Sequence, residues 1–330
     1  MNNLKKLGLT ALAGSLVAFS ANAVEMSVSG TSEITYTTGA GNNPVTGNPY
    51  GANTSLKFSG SGNVGWADVT IVRTINDGLG SAFLSAYQTM DMGDMGKLSL
   101  DSVGGGLEGT VANDDILPTA YEEVWNGVSG SGITGAASND TLGYSNSFGP
   151  VSMSLAYSKG GTAASGDGAG TTETVTSSTA DYHFKVDGSA MGMDGLTLAY
   201  GASSTDYTAA ASNDDTSRVA HVLYSTGPIS AGLRMGETDS GTAGKATQNM
   251  TAVSLAFKVN DEISVSVATQ DTEYDNTAGT ADVTETVDAV SASYTVGAAS
   301  VRAHFAESSD DAGQAGASAE YMELSLLLAF

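Results

Sequence analysis

The sequence predicts an all-β fold: a closed antiparallel transmembrane β-barrel of about 16 strands with up-and-down topology. Apolar and polar residues alternate along many segments, as where Val253, Leu255 and Phe257 are interleaved with Ser254 and Ala256. This period of two predicts strands with one apolar and one polar face. Beyond residue 23, no apolar run approaches the length of a membrane-spanning helix.

Turn signals separate these segments at regular intervals. Short turns such as Gly149-Pro150 and Gly227-Pro228 alternate with longer acidic stretches near residues 206–214 and 273–281. Short turns at one rim and long loops at the other are typical of an up-and-down membrane barrel. The segments between the turns have roughly 9–12 residues, the length that a tilted strand needs to cross a bilayer.

The first 23 residues have the pattern of a secretory signal peptide. Lys5 and Lys6 precede an apolar stretch over residues 7–19, and Ala21-Asn22-Ala23 provides the small-x-small pattern of a cleavage site. The apolar stretch is too short for a membrane anchor. We therefore expect residues 1–23 to be removed on export and residues 24–330 to form the barrel.

Charge and cysteine content argue against several classes of protein. The formal net charge is −24, and loss of Lys5 and Lys6 with the leader would make it −26. Nucleic acid is a poor partner for such a chain, because phosphate binding needs clustered Lys and Arg. The chain has no cysteine, which excludes a lipid-anchored lipoprotein and a disulfide-stapled secreted domain.

The last predicted strand is strongly amphipathic and ends on an aromatic residue. Its outward phase contains Met322, Leu324, Leu326, Leu328 and Phe330, with Glu323 and Ser325 in the other phase. This strand resembles the C-terminal strand of outer-membrane barrels, whose final Phe is part of the assembly signal. The resemblance implies that Phe330 is read by the outer-membrane barrel assembly machinery.

Several other stretches occur in a characteristic order and spacing across nearly the whole mature chain. They are residues 24–30, 55–60, 83–85 with 96–100, and 142–151. In this order they resemble the trimeric 16-stranded general porins of Gram-negative bacteria, especially the alphaproteobacterial type. The resemblance implies a homotrimer in contact with outer-membrane lipid, reached after export through the periplasm.

The resemblance also implies a third external loop that folds into the barrel and narrows it. The corresponding segment is residues 104–137, the longest stretch without regular alternation, and structureless stretches of this length in compact domains are usually functional. We expect Ile116, Leu117, Tyr121 and Trp125 to pin it to the wall and its acids to form the negative side of the constriction. Alternatively, some of these acids face solvent on an ordinary external loop. The predicted constriction acids are Glu108, Asp114, Asp115, Glu122 and Glu123.

The family places basic side chains opposite this loop, but its arginine ladder is not found at the corresponding positions here. Most of the few basic residues nevertheless have the phase of lumen-facing residues. Stability alone accounts for this phase, because a charge facing lipid at mid-bilayer costs about 2–4 kcal/mol. Lys57 and Lys97 are predicted to form the opposing wall, whereas Arg73 has an ambiguous phase and is expected near a rim. The predicted basic pore-wall residues are Lys57, Lys97, Lys185, Arg234, Lys258 and Arg302.

The sequence contains no convincing catalytic or metal-binding constellation. Residues 104–109 match G-x-G-x-x-G formally, but no helix follows them, as dinucleotide binding requires. His183, His221 and His304 lack metal-ligand spacing, so we expect isolated lumen or loop positions. Acidic loops can bind Ca²⁺ weakly through oxygen ligands, but no spacing supports a specific site. We expect neither an enzyme nor a cofactor.

These observations predict passive diffusion of small hydrophilic solutes and ions through a water-filled pore, with a preference for cations. A substrate-specific outer-membrane channel stays open as an alternative. A surface-exposed structural or adhesive β protein would show a fixed-length repeat, which is not seen. An outer-membrane barrel enzyme would need a convergent nucleophile and base, and none is evident in the sequence.

Overall fold

The computed structural model describes residues 25–77, 85–102, 117–128, 141–160, 177–207, 214–241, 246–276 and 281–330. The predicted leader, residues 1–23, lies outside these ranges. The described residues contain sixteen β-strands: β1 Glu25–Gly41, β2 Tyr50–Asn63, β3 Asp68–Asn76, β4 Ser85–Asp91, β5 Lys97–Asp101, β6 Thr141–Phe148, β7 Val151–Gly160, β8 Ser177–Asp187, β9 Leu196–Tyr207, β10 Asp215–Thr226, β11 Ile229–Asp239, β12 Thr247–Lys258, β13 Ile263–Asp275, β14 Val283–Val296, β15 Ala299–Ser309 and β16 Ser318–Ala329.

Each strand pairs antiparallel with its neighbours in sequence, and β1 pairs with β16 to close the barrel. The closing register places Ser32 opposite Leu328. The backbone N–H of Gly30 donates to the carbonyl of Phe330 at 2.8 Å, and that of Phe330 donates back at 2.9 Å. Closure leaves no strand edge unpaired, as a bilayer requires. The predicted strand number and closed antiparallel topology are confirmed.

Alternation places every second side chain on the outer face. Leu324 is 45% exposed, whereas its neighbour Ser325 is 3% exposed because it points into the barrel. A contiguous exposed apolar surface of this kind is suited to lipid contact. Among the described residues, no helix has the length and apolarity that a membrane-crossing helix needs. Outward apolar residues of β12 to β16 include Val253, Leu255, Phe257, Val265, Val267, Val290, Val301, Phe305, Leu324, Leu326 and Leu328.

The two rims differ in the length of their connections. Two-residue turns join β6 to β7, β10 to β11 and β14 to β15 at one rim, here called the short-turn rim. Gly149, Gly227 and Gly297 begin these turns at φ of +61°, +55° and +59°. Tight hairpins need positive φ, which glycine adopts without strain. The connections at the other rim are longer, in agreement with the predicted topology.

Arg73 lies on the outer face in the middle of β3, although the sequence suggested a position near a rim. Its neighbours Val72 and Thr74 point inward and are buried, whereas Ile71 and Ile75 are exposed on its own face. The Arg73 guanidinium donates to the backbone carbonyls of Val72 at 2.7 Å and Tyr87 at 3.2 Å. The alternation of β3 therefore places one basic side chain among outward apolar residues.

Candidate functional site in the barrel lumen

Residues 117–128, here called the inward segment, contact the inner wall of the barrel. The N–H of Ala120 donates to Ser266 Oγ on β13 at 2.9 Å. Ser291 Oγ on β14 donates to the carbonyl of Glu122 at 3.5 Å, and His304 Nε2 on β15 lies 3.1 Å from the carbonyl of Asn126. The segment therefore lies inside the barrel, bound to neighbouring strands on one side of the lumen.

An apolar seat holds the middle of the inward segment. Val124 packs with Val287 and Ala289 of β14 and Ala306 of β15, all of them buried. Trp125 and Val128 pack against the same cluster. Burial of a valine side chain contributes about 1.5–3 kcal/mol. The lumen wall therefore has an apolar patch where Val124 packs, which the polar inward phase of the sequence did not indicate.

Two glycines allow the segment to approach the wall closely. A Cβ added at Gly232 on β11 would lie 2.6 Å from Cδ of Pro118 and 2.9 Å from Cδ2 of Leu117. Gly127 has φ of +83°, and a Cβ there would lie 1.9 Å from the Tyr321 ring on β16. Any larger residue at either position would displace the segment.

Arg302 of β15 joins the inward segment to the barrel seam. Its guanidinium carbon lies 4.2 Å from the centre of the Tyr121 ring, within cation–π range. Nη2 donates to Ser325 Oγ at 3.0 Å and forms an ion pair with Glu33 of β1. The Tyr121 hydroxyl donates to Glu33 Oε1 at 3.3 Å and to Glu323 of β16. One charged cluster thus links β15, β16, β1 and the segment.

Arg234 of β11 makes the second stacking contact. Its side chain is 0% exposed, and its guanidinium carbon lies 4.6 Å from the centre of the Trp125 ring. Nη2 donates to Gln270 Oε1 on β13, and Gln270 Nε2 donates onward to Thr272 Oγ1 at 3.2 Å. The positive charge of Arg234 is therefore enclosed between the segment and the wall.

The two described acids of the predicted constriction are both partly buried in the segment. The N–H of Leu117 donates to the Glu123 carboxylate, but burial dominates and raises the pKa of Glu123 to about 7. Burial also raises the pKa of Glu122, and the side-chain amide of Asn126 donates to its carboxylate. The other predicted acids, Glu108, Asp114 and Asp115, and the predicted anchor Ile116 lie outside the described residues.

The predicted basic residues do not form one group. Lys57 is exposed on the inner face of β2, beside Ser29 and Thr74 in the register. Lys97 and Lys185 line a cavity of about 700 Å³ near the short-turn rim. Lys258 ends β12 and forms an exposed ion pair with Asp261 at 3.1 Å in the following turn. Arg234 and Arg302 lie on the side that binds the segment.

Sequence reasoning did not assign Glu33, Gln270 or His304 to the site. Each has the inward phase of its strand, which was the available signal, but their partners come from a segment far away in sequence. His304 is buried, with Nδ1 2.8 Å from Ser291 Oγ. His183 and His221 are also buried inward-facing residues. Within the described ranges, no three acidic, His or Cys side chains gather closely enough to hold a metal ion.

No family model and no curated protein sequence matches the chain. Among solved structures, Salmonella typhi OmpF in complex with daunomycin superposes with a TM-score of 0.67 at 13% identity, covering 93% of this chain and 98% of that chain. The trimer form of OmpT, an outer membrane protein of Vibrio cholerae, gives a TM-score of 0.66 at 12% identity, covering 94% and 100%. The anion-selective porin from Comamonas acidovorans gives 0.61 at 15% identity, covering 93% and 100%.

These three structures cover 93–94% of this chain, and two of the three are covered over 100% of their own length. The described strands form a closed barrel in which β1 pairs with β16. The chain therefore has the closed sixteen-stranded fold of the outer-membrane porins.

Proposed function

We propose that the protein is an outer-membrane porin that allows passive diffusion of small hydrophilic solutes and ions. The observation that carries this proposal is the lumen itself, in which an inward segment occupies one side and a polar wall lines the other. The polar wall of β5 to β9 carries many hydroxyl side chains, of which Ser145, Ser147, Ser152 and Ser154 line the cavity of about 700 Å³. Its inward residues include Ser99, Ser145, Ser147, Ser152, Ser154, Ser158, Thr179, Ser203 and Thr205.

The outer membrane is the proposed location because the outer face is apolar and the barrel leaves no free edge. The leader predicted over residues 1–23 would direct export through the periplasm. Phe330 is two-thirds exposed and extends the outward apolar row of β16, while its backbone closes on Gly30. This placement supports recognition of Phe330 by the barrel assembly machinery before the seam closes.

We further propose a preference for cations. Glu33 forms an ion pair with Arg302, Glu323 accepts from Tyr121, and Glu122 lies on the same segment, so acids outnumber bases in this cluster. Glu108, Asp114 and Asp115, the other acids of the predicted constriction loop, would add charge of the same sign. The Comamonas porin is described as anion-selective, which shows that the fold leaves the sign of selectivity to the side chains.

A homotrimer is the proposed assembly. Arg73 lies on the outer face of β3 between the exposed Ile71 and Ile75, and Gln88 lies on the outer face of β4 opposite Ile71 and Leu100. A basic side chain facing lipid at mid-bilayer costs about 2–4 kcal/mol, so this face is better suited to cover by protein. The Vibrio cholerae OmpT neighbour occurs in a trimer form.

A substrate-specific channel is the second candidate. The observation that favours it is the cavity near the short-turn rim, where Lys97, Lys185 and His183 meet serine hydroxyls and the carboxylates of Asp91 and Asp94. A cavity lined by hydroxyls and by charges of both signs suits a neutral or zwitterionic polar solute. No cofactor and no catalytic activity are proposed in either case, and Ca²⁺ binding is proposed only as weak association with acidic loops.

Single-channel recording of the purified protein in a planar bilayer tests the proposal. We expect stable steps that occur in groups of three and grow in proportion to salt concentration, with reversal potentials of cation sign in a KCl gradient. Saturation of the current by one solute, with block at low concentration, would favour the substrate-specific channel. Correctly folded protein without conductance would overturn both candidates and leave a structural or adhesive role.

A further inference from the structure

We propose that Arg234 and Arg302 are positioning residues that hold the inward segment on the wall, and are not the charges that select ions. The inference rests on the proposed pore, because it concerns how the segment that would narrow that pore is fixed. The sequence placed both arginines among the basic residues of an open pore wall. The geometry assigns them to the interface between the wall and the segment.

The two contacts have the same construction. Arg302 stacks on Tyr121 at 4.2 Å and Arg234 stacks on Trp125 at 4.6 Å. Each guanidinium lies over an aromatic ring of the segment and also donates hydrogen bonds to side chains of other strands. Only arginine combines a planar face with several in-plane donors, so the two functions occur together on one side chain.

The solvent accessibility of the two arginines distinguishes an anchoring role from a role in ion selection. Arg234 is 0% exposed, so a permeating ion cannot approach its charge. The Arg302 side chain is 20% exposed, and its charge is compensated by the paired Glu33 and by the nearby Glu323. Lys185, in contrast, is an exposed lysine on the wall of the cavity near the short-turn rim. Lys185 is therefore the matched control for a basic residue that an ion can reach.

The two contacts also lie on either side of the apolar seat. Tyr121 precedes Val124 and stacks on the side of β15 and β16, while Trp125 follows it and stacks on the side of β11 and β13. Loss of one contact would loosen one side of the segment while the buried Val124 still holds its middle. We therefore expect partial displacement of the segment, not loss of the barrel.

Electrical recording of Arg302→Lys, Arg302→Gln and Lys185→Gln distinguishes anchoring from selection. Loss of a desolvated cation–π contact should change the equilibrium between the seated and the displaced segment by about tenfold or more. We expect both Arg302 variants to raise open-channel noise and sub-level transitions alike, because lysine keeps the charge but loses the planar face. Lys185→Gln should shift the reversal potential toward cations with wild-type noise.

Fluorescence provides a readout that does not depend on conductance. The chain has two tryptophans, and Trp66 is 61% exposed in the turn between β2 and β3, so Trp66→Phe leaves Trp125 as the sole reporter. In that background, Arg234→Lys and Arg302→Lys should shift the emission to the red and increase quenching by acrylamide. A second arm, the double-mutant cycle of Arg302→Lys with Tyr121→Leu, should show that the two changes are not additive.

The anchoring proposal would be overturned if variants of both arginines had the channel noise and the fluorescence emission of the wild type. It would also be overturned if Arg302→Gln shifted the reversal potential and Arg302→Lys did not. Additive effects in the double-mutant cycle would overturn it as well. If Arg234→Lys does not fold, Arg302→Lys still tests the anchoring proposal. Arg302 is partly exposed, so we expect the barrel to tolerate its replacement. Absence of conductance in the wild type would overturn the pore while the fluorescence arm still tests the anchors.

Discussion

The guanidinium of Arg302 lies between the ring of Tyr121, 4.2 Å away, and the carboxylate of Glu33, with which it forms an ion pair. Glu33 belongs to β1 and Arg302 to β15, so the pair reaches across β16 at the seam where the barrel closes. The position of the inward segment is therefore coupled to barrel closure through Arg302, in addition to the direct contacts of the Tyr121 hydroxyl with Glu33 and Glu323.

Removal of the Glu33 carboxylate should destabilise the seam. In Glu33→Gln the charge of Arg302 loses its ion-pair partner, and Tyr121 and Ser325 donate to a neutral amide oxygen in place of a carboxylate. Loss of one partner of a fully buried pair costs about 3–5 kcal/mol. Because Arg302 and Glu33 are 20% and 25% exposed, we expect a decrease of about 1–2 kcal/mol in the free energy of unfolding.

Urea unfolding of the protein in detergent measures this decrease, with the folded fraction determined from the heat-modifiable electrophoretic migration of the protein. Asp261→Asn is the control, because it breaks the exposed ion pair with Lys258 at the short-turn rim. We expect no measurable change in that variant, since exposed pairs contribute little. Equal stability of the two variants would contradict the assigned importance of Glu33.

The ion selectivity of the pore should depend on pH through Glu123. Burial raises the pKa of this carboxyl to about 7, so it is mostly neutral at pH 5.5 and mostly charged at pH 8.5. We expect cation preference to increase over this interval. Glu122, whose pKa is also raised by burial, should change selectivity in the same direction.

Reversal potentials in a KCl gradient at several pH values test the expectation, with Glu123→Gln as the variant in which the change near pH 7 is lost. The contribution of Glu123 to stability changes with pH in the opposite direction to its contribution to cation preference. A carboxyl with a raised pKa favours the folded state when protonated, so its contribution is full below the unfolded pKa and is lost as pH rises through about 7. An unchanged pH profile in Glu123→Gln would refute the role of this residue.

Gly127→Ala should displace the inward segment. The added Cβ would lie 1.9 Å from the Tyr321 ring, and the residue has φ of +83°. Gly149→Ala is a matched control, because Gly149 also has positive φ, +61°, but open space around it. Both variants should carry the backbone cost of about 1–2 kcal/mol for an L residue in this region.

Only Gly127→Ala should also change the single-channel conductance, because only there does the new methyl group meet the wall. Conductance and unfolding measured on the same preparations separate the steric effect from the backbone effect. Identical conductance in the two variants would mean that the Gly127 contact does not position the segment.

The proposed homotrimer should place β4 near the molecular axis. The chain has no cysteine, so Gln88→Cys on β4 and Val222→Cys on β10 can be spin-labelled singly. Both residues are exposed on the outer face. Pulsed dipolar spectroscopy should give short distances between copies for the label at 88 and longer distances for the label at 222. The reverse order would place the contact face elsewhere.

Much of the barrel was predictable because strand alternation is a local property. Strands β12 and β13 follow directly from the interleaving of Val253 and Leu255 with Ser254, and from the short turn after Lys258. The inward phase of Arg234 and Arg302 was predictable for the same reason, since lipid excludes charge. The outward position of Arg73 was not, because its neighbours in sequence give no clear phase.

The amino-acid sequence by itself determined the approximate number of strands, the direction in which most strand side chains point and the chemical character of the two faces. Period-two alternation and turn chemistry are encoded within a few residues, so they need no knowledge of the rest of the chain. Only the tertiary structure decided what the inward-pointing residues meet. Arg302 contacts Tyr121 and Glu33, and Val124 packs against Val287. Closure of the barrel and the path of the inward segment bring these distant residues together in the lumen.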